Sequence, residues 1–546
     1  MDIARNLFSI GNQLSFRASN VIDKFTNWSC MNLNQFVLSA GLLRVFALPI
    51  LILGGAAPSV SVAAPIKTEQ SAVAISITSN TSQIDTFDRL RLQRMGSSQD
   101  VVLKKTEKLV SRGTSLFTGT LPAGEYKVAL LEDTKSHLNL QLTEDSGYVG
   151  NFRVKGGGPV DLGRLIITPV NLKVFVGRSS RVTSNVPLLK VYAPEQAPLF
   201  EKEAGGGWSE PRRPDDKVEE YAISKPGDFD CITEKDGIVL AGGRMGTLMQ
   251  RQVTGQWLAL SGPSIAALSC ALPVTLPNAD LLVTGEFGTL LRHAKGDAKL
   301  LPVSTGDLPF GHLLRIVGNG VGGWYIAGLR GDTVSLHYSQ TLENGKWTEV
   351  RSEKIERLPG RQGLRFWIWP IANGLAYTTG RDTIQTLDFA TRQWSALALP
   401  EKQKFSSLKI SPSGTLAIAG GGKHFVSYDA GKHWDPVKVT LPKGVVDVGP
   451  VQQMADGAFV MQSLNNAQKS AIYRSADKGQ SWQVMKQFDW PYRVQVLKSV
   501  PLLQIGDESS FGFVSLSSST DGANWKSEYS SFDREFDERE KKRKAK

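Results

Sequence analysis

Only three cysteines occur in 546 residues. Cys30 falls within the N-terminal leader, which leaves Cys231 and Cys270, too few for a disulfide framework or a four-ligand zinc site. Two cysteines can still form one bridge in an oxidising compartment. The repeat described below sets them in equivalent strands of neighbouring units, so a bridge and a pair of buried thiols are both open. Histidine is scarce too, with six residues scattered along the chain and no His-Glu-x-x-His metal helix. There is no Gly-x-Ser-x-Gly elbow and no phosphate loop ending in Gly-Lys-Ser/Thr; the glycines at 420–422 read as a turn. His424 and His433, which flank a turn, read as solvated. No catalytic residue, metal or cofactor is assigned on these grounds.

Helix-periodic stretches are also few, whereas glycine is plentiful at 53 residues and apolar residues make up 41%. That balance favours many short strands joined by tight turns, in an all-β chain long enough for two or three domains. The net charge of +11 suits acidic partners, although the Lys and Arg are spread out and could serve solubility alone. Near the start, Arg44 precedes an apolar run from Val45 to Leu53, and a small-residue stretch ends in Ser61-Val62-Ala63-Ala64. This is the pattern of an export signal at 1–63 cleaved after Ala63, with Met31 as an internal start that gives a leader of ordinary length. The alternative is an uncleaved inner-membrane anchor across 36–53, which Arg44 near its middle makes costly. The expected location is therefore periplasmic or cell-surface.

Residues 66–190 alternate apolar and polar side chains with turn signals between, and read as a small prealbumin-like or immunoglobulin-like β-sandwich. Residues 191–217 read as a linker or as strands that close the next domain, with Trp208 a candidate for an added blade. From 218 to 530 a repeat sets the fold. Glycines 243, 285, 328, 380, 421 and 506 mark one strand of each unit, and tryptophans 257, 347, 394, 434, 482 and 525 mark a turn. Both series give a period of about 43 residues and about seven units, the length of a four-stranded propeller blade. The expectation is a seven-bladed β-propeller followed by a solvated charged tail at 531–546.

Three units carry a shared turn. Ser427-Tyr-Asp429-Ala-Gly431-Lys-His-Trp434 and Ser475-Ala-Asp477-Lys-Gly479-Gln-Ser-Trp482 match the Asp-box Ser-x-Asp-x-Gly-x-x-Trp, and Ser519-Thr-Asp521-Gly522-Ala-Asn-Trp525 is a form one residue shorter. The Ser and Asp side chains can bond the turn's own amides, glycine can take positive φ and tryptophan can bury its ring, so these twelve residues read as structural. Together with Gly243-Arg-Met-Gly246-Thr-Leu and Gly285-Glu-Phe-Gly288-Thr-Leu, they make residues 218–527 resemble BNR-type propellers of the photosystem II assembly and stability factor family. The resemblance implies an exported, non-enzymatic assembly or binding scaffold with protein partners, membrane-associated or acidic.

Sialidases share Asp-boxes, so a carbohydrate-binding or glycoside-hydrolysing protein is the alternative, and a structural surface or secretion component a second. The hydrolase would need an arginine trio and paired acids, yet its Phe/Tyr-Arg-Ile-Pro motif is missing; Leu314-Arg315-Ile316-Val317 is the nearest stretch. Arg244, Arg251, Arg292, Arg315, Arg330 and Arg381 fall near blade turns and could converge on one face to bind an anion. Trp367 and Trp369 share one face of a strand, either as core or as a platform for a glycan or protein. Nothing points to nucleic acid.

Overall fold

The computed structural model of the chain describes residues 70–544, apart from 107–112, 136, 143–148, 172, 295, 298, 319–321, 357–363, 402–404, 441–444, 466–468, 490–491 and 509–512. The expected leader, its cleavage after Ala63 and the start at Met31 lie outside the described residues. Among the described residues no helix is long and apolar enough to cross a membrane.

Seven antiparallel sheets built from consecutive strands follow one another from 229 to 530, six of four strands and one with a short fifth. The expected seven-bladed propeller is the fold. The blades span 229–261, 268–302, 312–354, 367–398, 407–437, 445–488 and 492–530. The glycine series falls within two residues of the end of the second strand in every blade but the sixth, which has no member of it, and each marker tryptophan stands at the start of a fourth strand or one residue before it. The unit without a tryptophan has the shortest fourth strand, Leu301–Pro302.

Strand alternation explains why these sequences stack. On Ile238–Gly243, Val239 and Ala241 enter the core shared with blade seven, while Leu240 enters the core shared with blade two. One blade thus supplies both of its faces, and each inter-blade gap is filled by two sheets. The first strands of neighbouring blades lie against one another, and the fourth strands are largely exposed. The first strands therefore surround the central channel.

Among the described residues no strand is shared at the ring closure. Blades seven and one meet through Phe229, Met249 and Trp257 packed on Leu503, Val514 and Leu516. Trp208 supplies neither a closing strand nor an eighth blade: Gly206–Trp208 pairs with Asn151–Val154 in the N-terminal sheet. Position 208 fits the repeat spacing, but the chain between it and the first blade turns into the helix Val218–Ser224.

The N-terminal region forms one ten-stranded sheet rather than two hydrogen-bonded layers. The sheet closes on itself, because Trp208 at one end donates its indole N–H to the Leu162 carbonyl near the other, at 3.0 Å. Val73, Leu90, Phe117, Tyr126, Phe152 and Leu165 fill the single core inside. The tail is not a free end. It forms the helix Arg534–Lys544, where Phe536 stands edge-on to Phe175 of the sheet at 5.7 Å.

Candidate functional site: clasps and channel cations

The Ser/Asp/Gly/Trp turns of blades five to seven are self-contained. In the sixth blade Ser475 Oγ donates to Asp477 Oδ1 at 2.7 Å and accepts from the Gly479 amide at 2.7 Å, while Asp477 takes the Ser481 amide at 2.9 Å. Blades five and seven repeat this around Ser427/Asp429/Gly431 and Ser519/Asp521/Gly522. Those bonds hold all three aspartates well below the usual carboxylate range. Gly479 lies at φ 93°, and an added Cβ would stand 2.5 Å from Val437 of the preceding blade. Trp482 bonds that blade too, donating to the Lys438 carbonyl at 3.1 Å; Trp434 and Trp525 pack against the cores beside them. His433 bonds Asp429 within its turn at 2.5 Å. His424 is not solvated as expected but 6% exposed, because its strand Lys423–Ser427 runs inside the blade.

The six arginines do not converge. Arg244 lies 3% exposed under the N-terminal sheet, its fork paired with Asp85 at 2.6 and 3.0 Å and its Nε bonded to Asp228 at 3.1 Å. Arg251 clasps the ring shut: it gives two bonds to Glu528 of blade seven, at 2.8 and 2.6 Å, and that carboxylate also takes Trp257 Nε1 and Ser518 Oγ. Arg292 pairs with Glu343 and Arg381 with Glu356. Arg330 is exposed beside a turn. Four of the six are therefore tied to partners, because turn arginines at blade edges meet acids on the next element. Trp369 is core at 5% exposed, and Trp367 packs against the same cluster between blades four and five, so neither forms a platform.

Arg315 alone of the six faces the channel. The strand His312–Gly318 bulges between Leu313 and Arg315. Leu313 and Ile316 fill the gap toward blade two, and Leu314 and Val317 fill the gap toward blade four. Arg315 belongs to neither core and has no hydrogen-bond or ionic partner among the described residues. Burial alone pushes its pKa down to about 10. Lys409, on the first strand of blade five, reaches past blade six to Gln495 of blade seven at 2.8 Å. Burial, and then the like charge of Arg493, push it down to about 8. Arg493 and Gln495 share one face of Tyr492–Gln495, opposite Val494, which packs toward blade six. Arg493 donates to the Phe229 carbonyl at 2.8 Å.

Cys231 and Cys270 are joined by a disulfide, Cα to Cα 5.3 Å, which ties the first strands of blades one and two. The buried acids are used in docking. Glu286, fully buried, accepts the amides of Gly113 and Ala267 at 2.8 and 3.0 Å beside Arg164, and burial pushes its pKa up. The Tyr–Glu pair Tyr377 with Glu353, the kind a hydrolase would use, sits between blades, Glu353 on the fourth strand of blade three and Tyr377 on the second strand of blade four. Its phenol is raised to about 12, mainly by burial. Among the described residues no three His, Cys, Asp or Glu side chains gather as a metal site.

Sequence reasoning missed Lys409, Arg493, Gln495, Glu528 and Glu286. Lys409 did leave a signal: a lone charge between Leu408 and Ile410 in a short apolar strand, as Arg315 is a lone charge in Leu-Leu-Arg-Ile-Val.

No protein-family model and no curated protein matches the chain. Among solved structures it is similar to YCF48 from Cyanidioschyzon merolae, at 13% identity, covering 52% of this chain and 94% of that one with a TM-score of 0.35. It is also similar to a YCF48 bound to D1 peptide, at 17% identity over 48% and 81% of the two chains, TM-score 0.34. Streptogramin B lyase matches at 13% identity over 56% and 93%, TM-score 0.34. The neighbours thus include both a peptide-bound protein and a lyase, and likenesses this slight bear on neither partner nor activity.

Proposed function

We propose that this protein is an exported, non-enzymatic binding scaffold that takes an acidic protein partner and assists the assembly or stability of a membrane or envelope complex. The observation that carries the reading is the charge of Arg315 and Lys409 in the channel: Arg315 has no partner among the described residues, and Lys409 meets the neutral Gln495 and the like charge of Arg493, which itself pairs with Asp228 at 3.8 Å. A cation buried without a partner costs stability, and a ligand that supplies the missing charge recovers it. The buried acids Asp85, Glu286 and Glu528, by contrast, are committed to clasps. The apolar leader run supports export, and the net charge of +11 supports an acidic partner.

The test is affinity capture of the cross-linked protein from intact cells beside the Arg315→Met/Lys409→Met double variant. A discrete protein set captured by the native protein and lost from the variant is the expected result. An identical set from both would remove the channel from the reading. No protein partner, with retention on polysaccharide, would replace it with the carbohydrate alternative.

A further inference from the structure

We infer that the channel contains a binding site for a polycarboxylate anion, with Arg315 on one wall and Lys409, Arg493 and Gln495 on the other. The inference rests on the binding reading above and assigns its chemistry. Among the described residues, neighbouring side chains of the first strands are settled inside the protein. Leu313, Leu314, Ile316 and Val317 fill inter-blade gaps, and Cys231 and Cys270 bond each other. Arg315 belongs to neither core and carries a fork of donors with no partner among the described residues, a shape that matches the two oxygens of a carboxylate.

On the opposite side, Lys409 donates to the Gln495 carbonyl oxygen, which leaves the Gln495 side-chain amide as a further donor. Among the described residues its Nε2 meets only the Val496 carbonyl, at 3.5 Å. Arg493 lies two residues along the same face, 48% exposed and 3.8 Å from Asp228, so that it is partly neutralised and adds a flanking positive charge. The two walls belong to blades three, five and seven, so a single carboxylate cannot neutralise both. A ligand carrying two or more carboxylates, separated by a short spacer, meets each wall with one charge. It would enter by replacing channel water, and the low dielectric of the ring would strengthen each contact.

The carboxylates could belong to a free small molecule or to an acidic peptide segment, and calorimetric titration of the full chain separates these. Citrate and a hexaglutamate peptide are the two probes, at pH 7 and low salt. At least one binds with one-to-one stoichiometry, and Arg315→Met and Lys409→Met each weaken it tenfold or more. Arg292→Met, which alters a pair away from the channel, leaves it unchanged. Citrate binding identifies a free anion as sufficient; binding of hexaglutamate alone identifies a chain-borne one.

Both channel variants lose an unpaired charge, so their melting temperatures hold or rise, and lost binding cannot be read as unfolding. Lys409→Arg adds an independent readout. Native affinity falls as pH rises from 7 to 9, because Lys409 discharges, while the arginine variant stays flat. The site is overturned if neither probe binds, or if the double methionine variant keeps native affinity. Should that happen while the partner captured from cells is still lost from the double variant, the scaffold reading survives and only the polycarboxylate assignment falls.

Discussion

Arg244 and Arg315 are the same side chain in opposite circumstances. Arg244 is enclosed by two carboxylates, and Arg315 meets none among the described residues. Arg244→Met leaves Asp85 and Asp228 without their cation and is expected to cost about 3–5 kcal/mol. Arg315→Met removes an uncompensated charge and is expected to raise stability. Denaturant midpoints for the two variants should move in opposite directions. Lys409 gives a pH signature of the same kind. Its folded pKa of about 8 lies below the unfolded value near 10.4, so between those values the unfolded chain binds more protons. Stability from this residue therefore rises with pH from about 8 to about 10, and below pH 8 its buried charge weakens the fold. Lys409→Met should be more stable than the native protein at pH 7 and should lose that slope, which urea unfolding at pH 7 and 9.5 would measure.

At the scale of the element, the turns and the clasps differ in how far they could be read from sequence. The turn Ser475-Ala-Asp-Lys-Gly-Gln-Ser-Trp482 carries donors and acceptors within eight residues, so residue types alone point to the structure. Ser475→Ala removes one donor and one acceptor there and should cost about 1 kcal/mol, read as a shift in thermal midpoint. The Arg251–Glu528 clasp joins residues 277 positions apart, and nothing local distinguishes Glu528 from any other acid on an outer strand. The same holds for Arg244 with Asp85. The arginines were visible, but their partners come from another domain or from the far end of the ring. Convergence on a face failed as an expectation for that reason. The disulfide lies between, since strand equivalence brought Cys231 and Cys270 to neighbouring blades without deciding whether they bond. It closes a loop across 39 positions, so reducing it should destabilise the propeller by about 2–4 kcal/mol. Unfolding with and without dithiothreitol checks this, and the Cys231→Ser variant should show no difference between the two conditions.

Over the whole molecule, period decided the fold. A 43-residue rhythm of glycine and tryptophan is a property of stacking, because each blade must present two apolar faces and a tight turn at the same places. The N-terminal sheet lacked such a rhythm. Its strands were visible through alternation, but their closure into one sheet depends on Trp208, which the propeller's spacing had claimed. That sheet and the helix Val186–Tyr192 after it cover part of the propeller, with Ile166 of the sheet packed on Met245 and Ile265 in one cluster and Leu188 and Tyr192 of the helix gathered with Phe287 and Phe310 in another. The channel cations are not among those contacts. The account thus places structural work in the clasps and recognition in the channel. The measurement that tests this most directly is site-specific photo-cross-linking in cells, with a photoreactive residue placed at Gln495 in the channel and, separately, at the exposed Leu258 on the outer edge of blade one. The account predicts a discrete cross-linked protein from position 495, lost when Arg315 and Lys409 are both methionine, and none from position 258. Cross-links from 258 alone, or from 495 regardless of those two cations, would contradict it.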